Sequence, residues 1–181
     1  MKNEGKKFEL ILRSSAPSYF KMSRIPDPPQ SFTKRDDTRF SKKNPYDFEC
    51  FDSIHRISYS LELKSTSQKY LSYHTCEEEE KEEKGANIQW HQITGLTKAS
   101  EYDNCIAGFM FNFRLDNDEQ LLYFMDIKDF NKFRMSTNKK SLNIMDISLN
   151  GGIKIKGEKL RKNYRWNLNE FLESQSKIYP L

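Results

Sequence analysis

Asp47-Phe-Glu-Cys-Phe-Asp-Ser-Ile-His-Arg-Ile-Ser-Tyr-Ser-Leu-Glu-Leu-Lys64 is the most informative segment of the chain. From Ile57 it alternates: Ile57, Tyr59, Leu61 and Leu63 fall on one side of an extended strand, and Ser58, Ser60, Glu62 and Lys64 on the other. The apolar side predicts core, and the other side carries an acid and an amine two residues apart. Phe48 to Phe51 reads as a shorter preceding strand with Asp52 and Ser53 in the turn, and pairing the two strands brings Asp47 beside Glu62. Two carboxylates so placed suit a hard cation, Mg2+ or Mn2+, that keeps waters and takes phosphate oxygens as its other ligands. The main-chain carbonyl of Leu63 is a further candidate ligand. Lys64 then stabilises charge developing on a phosphate or orients an attacking water. A bare Glu-x-Lys is more often a solvated ion pair, so the weight lies on the hairpin around it.

The rest of the chain supplies a frame for that hairpin. Gly5 to Ser15 predicts a short helix with Phe8, Ile11 and Leu12 on one face, stopping before Pro17. Glu9 falls off that face, at i,i+4 spacing from Arg13. Tyr19 to Ile25 reads as extended and is ended by Pro26, Pro28 and Pro29. Ile88 to Tyr102 predicts a helix weakened by Gly95, and Cys105 to Phe113 a strand buried on both faces at the centre of the sheet. Leu121 to Met125 returns as a strand, and Asp126 caps a helix that packs through Ile127, Phe130 and Phe133. Ile144, Ile147, Ile153 and Ile155 suggest two short edge strands around Gly151-Gly152, before a final helix packed through Leu168, Phe171 and Leu172. The expected class is α/β, a mixed central β-sheet flanked by helices.

Composition bounds the setting. The 181 residues suit a single domain, 1–181, and the 31% charged and 36% hydrophobic content implies a heavily charged surface. The net charge of +4 hides an asymmetry, because Glu77 to Glu83 gathers six acids. Residues 76–86 are expected as a mobile acidic insertion pointing away from any anionic partner. The remaining surface is basic, which favours nucleic acid. Lys34, Arg35, Arg39, Lys42 and Lys43 make residues 33–44 the densest basic loop, leading directly to Asp47. Lys6, Lys7, Arg24, Lys69 and Arg114 are further candidate DNA contacts. Three widely spaced cysteines imply no disulfide framework and fit a reducing cytoplasm, and no apolar run is long enough to cross a bilayer. There is no Gly-rich phosphate loop and no ordered Ser-His-Asp set.

The layout Asp47, then Glu62-x-Lys64, resembles the core of the PD-(D/E)XK nuclease superfamily, which implies a restriction-endonuclease-like fold. More narrowly, Gly5 to Glu9, Arg24-Ile-Pro-Asp27, Asn44-Pro-Tyr-Asp47, Glu62-Leu-Lys-Ser65, Asn87-Ile-Gln-Trp-His-Gln-Ile93 and Gly108-Phe-Met-Phe-Asn-Phe-Arg114 together resemble the RecU-type Holliday junction resolvases and their phage relatives. That resemblance implies an Mg2+-dependent endonuclease that nicks four-way DNA symmetrically as a homodimer. It places Glu9 near the metal and assigns Gln92 to positioning water or substrate. The chain departs from the family in its short basic loop, where the best-known members carry a longer stalk that enters the junction. A restriction- or repair-like nuclease acting on duplex, flap or single-stranded DNA is the alternative within the superfamily. A non-cleaving protein that binds branched DNA is the alternative outside it.

Overall fold

The computed structural model describes residues 4–26, 43–82, 85–116 and 118–178. Along the chain, α1 (Glu4–Ser15) is followed by β1 (Phe20–Arg24), β2 (Phe48–Asp52), β3 (Ile57–Thr66) and β4 (Tyr70–Ser72). Next come α2 (Glu77–Glu82), α3 (Trp90–Ala99), β5 (Cys105–Arg114), β6 (Gln120–Asp126), α4 (Ile127–Ser136) and β7 (Ser141–Asn143). The chain ends with α5 (Ile144–Leu149), β8 (Ile153–Ile155), β9 (Gly157–Lys159), β10 (Tyr164–Trp166) and α6 (Leu168–Ile178). Six strands form one mixed sheet in the order β1-β2-β3-β5-β6-β8, in which β3 and β5 run parallel and the other neighbours antiparallel. This is the α/β class expected, with helices on both faces.

Alternation along β3 sorts its side chains to two cores. Tyr59, Leu61 and Leu63 join Phe48 under α1 and α6, where Phe8, Leu12 and Phe171 close the layer. On the opposite face Phe109 and Phe111 of β5 pack with Ile93 and Leu96 of α3, Phe130 of α4 and Ile147 of α5. Ser60 and Glu62 on that side of β3 are buried as well. The alternation identified the two faces; that the second is also covered depends on where α3 lands, which a period-2 pattern does not encode.

Three expectations are corrected. Ile144 and Ile147 lie not in a strand but in α5, because Asn143 Oδ1 accepts from Asp146 N at 2.9 Å while Asn143 N donates to Asp146 Oδ2 at 3.1 Å, a reciprocal cap that starts a helix. Helix α3 is shorter than expected, since Ile88 forms a bridge to Tyr73 instead of a helical turn. The acidic run, expected as a loop, forms the short helix α2. The cap at Asp126 is as expected, accepting from Lys128 N at 2.7 Å. Lys34, Arg35, Arg39 and Lys42 lie outside the described residues.

Candidate active site

Strand register builds the site. The β2–β3 ladder pairs Phe48 with Leu61, so Asp47, one residue before β2, stands opposite Glu62. Its backbone continues the pairing: Asp47 N donates to Leu61 O at 3.1 Å, and Asp47 Oδ2 accepts from Leu63 N at 2.9 Å. From the other side Ile25 N donates to Asp47 O at 2.8 Å. The acid is therefore fixed from β3 on one side and from the end of β1 on the other.

Glu62 is 3% exposed. Its Oε1 meets Lys64 Nζ at 3.0 Å and accepts from Gln92 Nε2 at 2.5 Å. Gln92 has little choice in this, because its own Oε1 accepts from Gln89 N at 2.9 Å as part of the α3 cap, which turns the amide nitrogen toward the acid. Burial pushes the Glu62 carboxyl up to about 7; Asp47 adds to the rise, while Lys64 opposes it. The result is a carboxyl that changes charge near neutral pH, held between a second acid and an amine. Beyond Lys64, Ser65 Oγ donates to the buried Asn112 Oδ1 at 2.9 Å and Asn112 Nδ2 donates to Gln120 Oε1 at 3.2 Å, which fixes the exit of the strand.

The donor set fits a hard cation. Among the described residues no group of three or more His, Cys, Asp or Glu side chains could hold a metal, so the Asp47 and Glu62 oxygens leave coordination positions open to water, main-chain or substrate oxygen. Magnesium tolerates that arrangement and closed structural zinc does not.

The other expected residues fall in three places. Glu9 pairs with Arg24 Nε at 3.2 Å, across from helix to strand instead of within the helix to Arg13, on the face of the sheet packed by α1. Lys6 and Lys7 are exposed on α1. Lys7 and Arg114 line a groove at the far end of β5 with Lys159, Arg161 and Lys162, and Lys69 lines the adjoining groove with Arg114. Arg114 Nη1 also reaches Glu4 Oε2 at 3.5 Å. Lys43 does not stand alone as a phosphate contact, because its Nζ lies 2.6 Å from Glu80 Oε1.

Two participants were not legible in the sequence. Glu80 sits in a run of identical residues, and nothing in the run separates it from its neighbours. Gly95, read as a weakness of its helix, is required by packing: a Cβ there would lie 2.4 Å from Pro45 Cβ and 2.8 Å from Pro45 O. Helix α3 thus presses on the segment that delivers Asp47. Alanine normally gains about 1 kcal/mol over glycine in a helix interior. Gly95→Ala is expected to lose about 1–3 kcal/mol instead, by overpacking against Pro45. Urea unfolding gives the sign directly, and a stabilised variant would refute the close approach.

No family model matches the chain. It is 32% identical, over an alignment of 197 residues covering 99% of this chain and 92% of the other, to the SPbeta prophage-derived uncharacterized protein YotM of Bacillus subtilis (strain 168). Among solved structures it is similar to Hjc of Archaeoglobus fulgidus, a Holliday junction resolvase from an archaeal hyperthermophile. That likeness has a TM-score of 0.47 and 12% identity, covering 83% of this chain and 93% of that one.

Proposed function

The chain belongs to the family of the prophage-derived protein YotM, and we propose that it is a metal-dependent endodeoxyribonuclease of the Holliday junction resolvase type. The observation that carries this reading is the buried Glu62 carboxyl facing Asp47, with Lys64 Nζ 3.0 Å away on the same strand face. A protein that only bound DNA would gain nothing from two acids directed at a polyanion. The sequence resemblance to RecU-type enzymes supports the narrower substrate.

Asp47 and Glu62 would hold Mg2+ or Mn2+, with the Leu63 carbonyl as a further donor. When bound, the cation neutralises phosphate charge and acidifies a bound water. The chain's own residues supply the rest. Leu63 N and the flanking strands fix Asp47, so its carboxylate needs little reorganisation to bind. Gln92 and Lys64 orient Glu62, and the ammonium of Lys64 favours its ionised form and can stabilise negative charge on a phosphate oxygen beside it. Glu9 and Arg24, paired with each other on the α1 side, support the approach to Asp47, since β1 hydrogen-bonds to β2 there. Lys6, Lys7, Lys69 and Arg114 offer contacts for the DNA backbone. A homodimer would supply the two symmetric nicks that resolution of a four-way junction requires.

The short stretch between Pro29 and Asn44, where the resembling enzymes carry a longer stalk, favours a second reading as a nuclease of duplex or flap DNA. Purified protein incubated in Mg2+ with a labelled four-way junction and the matched duplex separates the two, with Lys64→Ala beside the wild type. Paired nicks in the junction alone, reduced about 10²–10³-fold by the substitution, are the expected result. Cutting of both substrates moves the assignment to the general nuclease, and tight junction binding without cleavage leaves a non-cleaving branched-DNA-binding protein.

A further inference from the structure

The acidic helix α2 has no part in the chemistry above, yet its glutamates are not equivalent. Glu77 and Glu78 are exposed. Glu79 turns back to its own loop, where it accepts from Thr75 N at 2.7 Å and pairs with Lys140 Nζ at 2.6 Å. Glu80 turns toward α3 and is largely covered, with 11% of its side chain exposed. Its Oε2 accepts from His91 N at 2.8 Å, and its Oε1 meets both His91 Nδ1 and Lys43 Nζ at 2.6 Å. Partial burial would push this carboxyl up, but the hydrogen bonds from Lys43 and His91 outweigh that and hold it down to about 2. The carboxylate is ionised, so the His91 ring donates from Nδ1.

These contacts lead to the centre by a short route. His91 N–H is one of the first amides of α3, which have no partner within the helix, and Glu80 supplies one. The next residue is Gln92, whose oxygen accepts from Gln89 N and whose nitrogen donates to Glu62. Lys43 Nζ reaches Gln89 Oε1 as well, at 3.3 Å. Four residues after Lys43 the chain reaches Asp47. One carboxylate therefore holds the helix that orients Glu62 and the segment that delivers Asp47.

We propose that Glu80 is a positioning residue for the Asp47–Glu62 centre, joining the first turn of α3 to Lys43 so that the Gln92 amide and Asp47 meet Glu62 in register. This rests on the nuclease reading above. A segment that resembles an acidic insertion would then be part of the support of the site, while Glu77 and Glu78 face solvent. Lys43, committed to Glu80, is correspondingly withheld from DNA phosphate.

The test compares wild type with Glu80→Gln, Glu80→Ala and Glu78→Gln. It measures cleavage at saturating DNA, KM for DNA, and Ca2+ binding by titration calorimetry without DNA. Loss of an outer support typically costs 10–100-fold. The expected result is a fall in kcat of about 10-fold for Glu80→Gln and about 100-fold for Glu80→Ala. KM should be unchanged or lower because Lys43 is released, and Ca2+ affinity should fall in parallel with kcat. Glu78→Gln, which removes the same charge from the same helix, should match wild type. The loss from Glu80→Ala should also overlap that from Gln92→Ala in the double variant, whereas general damage to the fold would add to it. If Glu80→Ala does not fold, Glu80→Gln carries the comparison. Wild-type kcat and Ca2+ affinity in the Glu80 variants, or additive losses with Gln92→Ala, overturn the proposal. Should wild type bind Ca2+ and cut no DNA, the nuclease reading fails while calorimetry still decides the role of Glu80. Absence of Ca2+ binding by wild type overturns both.

Discussion

Glu62→Gln is expected to abolish cleavage and, above neutral pH, to make the protein more stable than wild type. The two effects have one cause. The Glu62 carboxyl, ordinarily near 4.5, is pushed up to about 7 in the folded chain, chiefly by burial and then by Asp47, against the pull of Lys64. Between those two values the folded state retains a proton that the unfolded state releases. The Glu62 contribution to stability is therefore greatest below about 4.5, declines between 4.5 and 7, and is level above 7. A shift of that size is worth roughly 3 kcal/mol, with the favourable Lys64 interaction already included. Glutamine mimics the protonated acid in shape and hydrogen bonding but never ionises, so the variant lacks this decline. Urea unfolding at pH 5 and pH 8 should show it gaining about 2–3 kcal/mol on wild type over that range. Mg2+ at pH 8 should stabilise wild type and leave the variant unchanged, with cleavage lowered at least about 10²-fold. Parallel pH profiles for the two proteins would show that Glu62 is not held against its ionisation.

Phe109→Ala has the largest expected effect on the fold. Phe109 is fully buried on β5, stacked on Phe111 with centroids 5.3 Å apart and tilted against Phe130 at 4.9 Å. Removing its ring takes one wall from each contact in a core that cannot fully collapse, which costs about 3–5 kcal/mol. For a domain of marginal stability that is a large share of the total. Phe109 is also the cross-strand partner of Glu62, on the same sheet face, so the ring supplies part of the apolar surroundings that push its carboxyl up. The cavity admits water beside the carboxyl, and the decline in stability between pH 5 and pH 8 should become shallower in the variant than in wild type. Denaturant midpoints at both pH values report the two effects together. A loss below about 1 kcal/mol would place Phe109 outside the working core.

Much of this architecture could be read from local pattern. The alternation of Ile57 to Leu63, the unbroken apolar run at the centre of β5 and the Asp126 cap are short-range signals, and each element formed where its pattern lay. The opposition of Asp47 and Glu62 was legible for the same reason, because a hairpin fixes register over a few residues. What was not legible is set by distant partners. Glu9 had a plausible mate one turn away in Arg13 and met Arg24 on a strand instead. Ile144 and Ile147 fit a strand or a helix equally well by spacing, and the Asn143–Asp146 cap chose the helix. Gly95 reads as a flaw until Pro45 is placed against it. Glu80 differs from Glu77 and Glu78 only in what lies beside it after folding.

The order of strands also bears on aggregation. Its most aggregation-prone segment, Ile106 to Phe113, would template further strands if it lay at a sheet margin. It lies instead between β3, which pairs with its whole length, and β6, which pairs with it from Gly108 onward. The margins fall to β1 and β8, of five and three residues, which carry Lys21 and Lys154 exposed. Short outer strands bearing an ammonium each are poor seeds for a neighbour's backbone. The stickiest part of the sequence is thereby enclosed, and what the sheet offers to other molecules at its sides is brief and positively charged.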